Sequence, residues 1–378
     1  MKIYNVMAIM LMLLSCVSCI QSEPLNSECD ITEVNLPGDV LNRVPIIENN
    51  KVTIIVKNDV SVMSLAPEFT LTPGATIEPA SGTERNFLLP QAYTVTSEDG
   101  EWHKTYIVEV QKNNAINLNY NFETVRQISA LGGMCSYDEF YETSVLGKES
   151  LVWASANSSF ALTLQASTPS TFPTYQGDDG VTGKCAVLVT RSTGNFGGKV
   201  GKPLASGNLF IGVFDGTNAL KNPLQATHFG TPFTNEPVLF SGYYKYSPGE
   251  TYCEPGENGE LVPVAGKTDM FNLYAVLFET IREMQWLDGT NVLAADNPNI
   301  ISTAEIPDPH ASEEWVEFAV PFKMRAGKSI DRKKLEEGKY SITVVMGSSR
   351  DGDAFCGAIG STLQVDELSI TCASGDED

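Results

Sequence analysis

Asp-Gly recurs at residues 179–180, 215–216, 288–289 and 351–352, and Asn258-Gly259 adds a fifth pair of the same kind. Both positions of such a dipeptide tolerate positive φ, which makes it a favoured two-residue hairpin turn. Between the pairs lie runs suited to strands: 185–190 (CAVLVT), 209–214 (LFIGVF), 273–278 (LYAVLF), 315–320 (WVEFAV) and 340–346 (YSITVVM). Helical signal is confined to 331–337 (DRKKLEE), stopped by Gly338. The Gly-rich run 194–201 (GNFGGKVG) sits between strand-like segments and reads as a loop or a place of tight strand packing. Many strands without βαβ alternation predict one β-jelly-roll sandwich over residues 115–373.

Residues 31–112 follow a second, shorter pattern. The β-branched run 52–56 (VTIIV) is followed by alternating Phe69 and Leu71, Tyr93 and Val95, then Tyr106, Val108 and Val110. Pro73-Gly74 and Asp99-Gly100 punctuate these segments. About seven short strands in some eighty residues predict a small immunoglobulin-like sandwich. The fold class is therefore all-β, an N-terminal immunoglobulin-like sandwich followed by a larger jelly-roll. The short connection 112–115 (KNNA) predicts limited swing between the two.

The first residues read as an address. Lys2 precedes an unbroken apolar run, 6–14 (VMAIMLMLL), too short to span a bilayer of ~30 Å but suited to the h-region of an export signal. Leu13 and Ser15 stand at −3 and −1 to Cys16, a pattern that resembles a bacterial lipobox. The expectation is a signal over residues 1–15, lipidation at Cys16 with Cys19 as the alternative, and a polar tether over 16–30. An oxidising compartment permits disulfides, and Cys356 with Cys372 is a candidate pair.

Charge narrows the partners. The chain has 25 Lys+Arg against 47 Asp+Glu, a net charge of −22. Nucleic-acid binding needs clustered cations and is excluded, and contact with a membrane is expected only through the lipid. Three histidines leave little material for zinc chemistry or a His-based triad, and no G-x-S-x-G, H-E-x-x-H or Walker-type phosphate loop is present. No cofactor is required, and a monomer is expected.

Two phrases carry a resemblance to known families. Residues 117–123 (NLNYNFE) and 360–370 (GSTLQVDELSI) are similar to the opening and closing strands of jelly-roll carbohydrate-binding modules. In those modules the first and last strands lie side by side and their carboxylates often hold a structural calcium. The resemblance thus implies Glu123 and Asp366 as calcium ligands, hard oxygen donors of the right kind. Segments 141–153 (YETSVLGKESLVW), 205–214 (ASGNLFIGVF) and 229–249 (FGTPFTNEPVLFSGYYKYSPG) resemble the "putative carbohydrate metabolism domain" family of bacterial lipoproteins. There a jelly-roll follows an immunoglobulin-like module, here over 31–112, that acts as a spacer. That resemblance implies glycan handling at an outer-membrane surface.

Sugar recognition needs flat aromatic faces with polar groups at their edges. The candidates are Trp153, Tyr175, Tyr243, Tyr244, Tyr246 and Trp286, with Asp215, Asn218 and Arg282 as polar partners. Strand alternation puts Tyr244 and Tyr246 on one face and Tyr243 on the other, so one of these sets belongs to the core. Glycoside hydrolysis instead needs two carboxylates about 5–9.5 Å apart. Asp269, Glu279 and Glu283 flank an apolar run and are the first candidates, although no local E-x-D-x-x-E motif is present. Three functions follow: a surface lipoprotein binding oligo- or polysaccharide, a glycoside hydrolase, or a structural or adhesive surface protein.

Overall fold

The computed structural model describes residues 25–373 apart from 39, 42–43, 48, 58–59, 113–117 and 144–148. The export signal, Cys16, Cys19 and most of the 112–115 connection therefore lie outside the described residues. Strands dominate, and the few helices are short.

In the N-terminal region a five-stranded sheet runs in the order Ile46–Ile47, Lys51–Val56, His103–Lys112, Gln91–Thr96, Thr76–Glu78. A separate pair, Ile31–Asn35 with Glu68–Leu71, closes the other side of the core. The Lys51–Val56 and His103–Lys112 strands run parallel, and the sheet's other pairs are antiparallel. Period-two alternation sends Tyr93, Val95, Tyr106 and Val108 inward, where they meet Val52, Ile54 and Val56. Burying an aromatic or branched side chain contributes roughly 1.5–3 kcal/mol, so this cluster holds the small sandwich together. Asp30 ties the first strand to the last, accepting from Tyr106 Oη at 2.9 Å and Lys104 Nζ at 2.6 Å.

The larger region is a sandwich of a ten-stranded and a six-stranded sheet. The larger sheet is centred on Asn272–Glu279, Tyr340–Gly347 and Asn208–Phe214. The smaller runs Thr174–Gly177, Cys185–Val189, Thr362–Cys372, Pro237–Ser247, Ser312–Pro321. Asn119–Tyr120 pairs with Thr362–Cys372, Tyr120 opposite Leu368, so the opening and closing strands are neighbours. The inner layer holds Trp153, Tyr120 and Phe122 at one place and Tyr244, Tyr246 and Phe271 at another.

The run LYAVLF is buried on both sides of its strand. Leu273, Ala275 and Leu277 enter the sandwich, whereas Tyr274, Val276 and Phe278 face away from it. On that outer side they join Phe210 from the strand Asn208–Phe214, Phe229 from the short strand Thr227–Phe229 paired with it, and Leu287 and Val292 from loops. An unbroken apolar run, rather than an alternating one, is what a strand covered on both faces requires. This outer layer forms the floor of the candidate site.

Three local expectations are corrected. Of the five dipeptides, Asn258-Gly259 sits in the short hairpin loop joining Tyr252–Pro255 to Leu261–Pro263, and Asp179-Gly180 in the longer loop 178–184 joining the paired strands Thr174–Gly177 and Cys185–Val189. Gly259 has φ +77 and a Cβ there would lie 1.7 Å from the Gly198 carbonyl oxygen, so glycine is obligatory. The glycines of the four Asp-Gly pairs do not have positive φ. The Gly-rich run forms a short helix, Gly194–Lys199, because its glycines let it pack directly on Thr193 and on the 256–259 turn. The expected helix is Arg332–Glu336, N-capped by Asp331, whose carboxylate accepts from the Lys333 and Lys334 amides. All six described cysteines are free, Cys356 and Cys372 included.

Candidate functional site

A cavity of about 260 Å³ opens on the outer side of the larger sheet. Phe210 and Tyr274, from the two strands that flank Tyr340–Gly347, lie at its floor, and the strand-end residues Phe214 and Phe229 and the loop residue Phe355 supply walls. Phe196, Val200 and Leu220, at 42%, 46% and 48% exposure, leave apolar side chains uncovered among the lining residues. Exposed large apolar groups gathered at one opening are a mark of a binding site.

Two copies of one turn flank this cavity. Asp215-Gly216-Thr217-Asn218 and Asp288-Gly289-Thr290-Asn291 are identical tetrapeptides. Asp215 Oδ1 accepts from the Thr217 amide at 2.9 Å and Oγ1 at 2.6 Å, and Asp288 Oδ1 accepts from the same Thr290 groups at 2.8 and 2.5 Å. The aspartate side chain thus builds each turn, which explains why the following glycine needs no positive φ. Ala219 and Leu220 follow the first turn and Val292 the second, and all three line the cavity. Gly289 N donates to the Leu224 carbonyl at 2.8 Å, joining the two loops.

The remaining wall is segment 350–355. Phe355 has φ 58 and ψ 29, a left-handed conformation that a bulky residue adopts at a cost of roughly 1–2 kcal/mol. Its ring lies 5.7 Å from Lys202 Nζ, which donates to the carbonyls of Ala219 at 3.1 Å and Leu220 at 2.5 Å. Burial pulls the Lys202 ammonium below its usual range. Arg350 and Asp353 complete the lining, and Asp353 is the one carboxylate in it among the described residues.

Most residues expected to bind sugar lie elsewhere. Trp153, Tyr244 and Tyr246 are 1% exposed and form core, so no ring face is open to a ligand. Trp153 Nε1 donates to Glu142 Oε1 at 3.2 Å. Tyr243 points outward from the smaller sheet, as alternation requires, and Tyr175 packs on the same sheet's outer valines beside Trp315. Trp286 is half-buried and stacks on His228 at 4.2 Å. Asp215 and Asn218 are joined by a 2.9 Å bond within the first flanking turn, and Arg282 is exposed. Burial works to raise Asp215, but the Thr217 and Asn218 bonds and nearby His228 hold it below the usual carboxylate range. The structure therefore brings Asp215, Asn218 and Trp286 to the loops around the cavity without placing them in its lining.

Of the three acids considered for hydrolysis, Asp269 stands apart from Glu279. Asp269 precedes the strand Asn272–Glu279 and Glu279 ends it, which at ~3.3 Å per residue separates them by more than ~20 Å. Asp269 is buried and its Oδ2 accepts from Ser349 Oγ at 2.5 Å, Ala358 N at 2.7 Å and Ser361 Oγ at 2.7 Å. Glu279 pairs with Lys334 at 2.6 Å, and Glu283 is exposed. Acids with raised pKa do occur: burial pushes Glu142 up to about 7 and Asp366 up to about 6. Neither lines the cavity.

Glu123 and Asp366 do converge, on the loop 178–184. Asp366 Oδ2 accepts from the amides of Val181 at 2.7 Å and Thr182 at 3.2 Å, and its Oδ1 from Glu367 N at 2.8 Å. Glu123 Oε1 accepts from Lys184 N at 2.8 Å. Three N–H groups thus already occupy most of the acceptor sites of the Asp366 carboxylate. Among the described residues no group of three or more His, Cys, Asp or Glu is placed to hold a metal.

Sequence reasoning missed Phe210, Tyr274 and Phe355. The available signals were the doubly buried run LYAVLF and the repeated tetrapeptide DGTN.

Residues 121–371 match the family described as "Putative carbohydrate metabolism domain", and residues 31–110 match "SGBP, N-terminal", the N-terminal module of surface glycan-binding proteins. A crystal structure of a putative glycoside hydrolase from Bacteroides thetaiotaomicron is 47% identical, covers 94% of this chain and 99% of its own, and superposes with a TM-score of 0.79. A second putative glycoside hydrolase, from Bacteroides vulgatus, is 41% identical over 68% of this chain and 99% of its own, with a TM-score of 0.62. No curated protein matches the chain. With one family model spanning most of the larger sandwich and a relative of such identity over nearly the whole length, the chain belongs to the putative carbohydrate metabolism domain family.

Proposed function

We propose that this protein binds glycans at the bacterial cell surface, tethered by a lipid on Cys16, and that the cavity beside Tyr274 and Phe355 is its recognition site. One observation carries the reading: the cavity has aromatic walls and, among the described residues, a single carboxylate, Asp353. Sugar binding uses ring faces and a few edge polar groups, whereas two-carboxylate hydrolysis needs a pair of acids across the cleft. The surface glycan-binding type of N-terminal module supports the same reading.

Hydrolysis is the second reading, favoured by the description of the relative that is 47% identical. A glycan-array screen of the purified protein, paired with assay of newly released reducing ends, separates the two. Binding without release is the expected result. Release that disappears in Asp353→Asn replaces binding with hydrolysis.

A further inference from the structure

Most polar groups around the cavity are already engaged by the protein itself. Asn157 exchanges hydrogen bonds with the Thr174 backbone through both amide atoms, at 2.7 and 3.2 Å. Asn272 Nδ2 donates to the Arg350 carbonyl at 2.9 Å, Thr227 Oγ1 to the Leu224 carbonyl at 3.2 Å, and Ser349 Oγ to Asp269. Lys202 spends two of its three donors on carbonyls. The Tyr274 hydroxyl, by contrast, has no hydrogen-bond partner among the described residues.

A pyranose ring carries several hydroxyls, each of which is costly to bury unpaired. Inside the cavity the free polar groups among the described residues are the Ser159 and Tyr274 hydroxyls, with the exposed Arg350 and Asp353 at its mouth, against an abundance of apolar and aromatic surface. Size points the same way: a cavity of about 150 Å³ lined by apolar side chains accommodates benzene, and about 260 Å³ leaves room for a ring with a short arm.

We infer that the cavity takes an aromatic acyl group esterified to a sugar, with the sugar itself held outside at the Arg350 and Asp353 rim. The ring packs among Phe196, Phe214 and Phe355, whose side chains are not fully covered, and over Tyr274, whose hydroxyl meets the acyl group's one polar end. This rests on the glycan-binding reading and narrows it to substituted glycans.

The test is calorimetric titration of the purified protein with three probes: methyl 4-hydroxycinnamate, an oligosaccharide bearing a hydroxycinnamoyl ester, and the same oligosaccharide after saponification. The inference predicts that the esterified oligosaccharide binds at least tenfold tighter than the saponified one. It also predicts that Leu220→Glu, at an exposed position, weakens that binding at least tenfold while leaving the melting temperature in place. Equal affinity before and after saponification overturns the inference and leaves the glycan reading standing. Failure of both aromatic probes to bind folded protein also overturns it. Binding of methyl 4-hydroxycinnamate with no gain from the sugar supports the cavity's preference for an aromatic acyl group and removes the glycan reading.

Discussion

Glu142 carries a carboxyl group into an apolar core, where burial outweighs the hydrogen bond from Trp153 and pushes its pKa from 4.5 up to about 7. Below pH ~4.5 the group is protonated in both folded and unfolded chains and costs nothing. Between ~4.5 and ~7 the unfolded chain releases its proton first, so stability falls as pH rises. Above ~7 the penalty is constant, on the order of 3 kcal/mol at ~1.4 kcal/mol per unit. Glu142→Gln is therefore expected to raise the melting temperature at pH 8 and to have little effect at pH 4.5; equal melting temperatures at pH 8 would contradict this. Tyr120 offers a smaller test, because its buried hydroxyl has no partner among the described residues. Tyr120→Phe should stabilise the protein by up to about 1 kcal/mol, read from urea midpoints, since it removes an unpaired polar group and keeps the ring. At this scale the sequence was partly legible. Period-two alternation separated Tyr243 from Tyr244 and Tyr246 correctly, yet it could not say which aromatics would be core. Trp153 was unreadable because its burial depends on Tyr120 and Phe122, which reach it only through a long-range strand pairing.

Turns and loops, rather than strands, carry the surprises among the elements. The Asp-Gly pairs were read for glycine's tolerance of positive φ, but in two of them the aspartate carboxylate does the shaping, against the amide and hydroxyl of a following threonine. The strands were readable because continuous apolar runs declare burial on both faces; the loops that cover the outer face have no such period. Asp269 shows what a loop can depend on. It joins Ser349, Ala358 and Ser361, bracketing the segment that presents Arg350, Asp353 and Phe355 to the cavity. Asp269→Ala strands three buried donors, each costing roughly 1–3 kcal/mol, and should lower stability by more than 3 kcal/mol in a denaturant titration. A loss under 1 kcal/mol would mean that the segment is held by something else. The 178–184 loop gives a contrasting case. With Asp366 already capped by three amides, adding calcium or a chelator should leave the melting temperature within about 2 °C, as differential scanning fluorimetry would show. A rise of many degrees with calcium would mean that the loop reorganises around the ion.

Two all-β sandwiches in one strongly acidic chain present a solvated surface with few places for a ligand to bury itself. The cavity on the outer side of the larger sheet is the place where exposed apolar side chains, aromatic walls and backbone strain coincide. Phe355 is the residue where this can be probed, because its left-handed backbone suits glycine and its ring walls the cavity. The most direct measurement is calorimetric titration of wild-type and Phe355→Gly protein with the tightest glycan from an array screen. Saturable binding by the wild type, at least tenfold weaker binding by Phe355→Gly and melting temperatures within a few degrees of each other are expected. Equal affinity in the two proteins would place recognition elsewhere on the molecule and contradict the account.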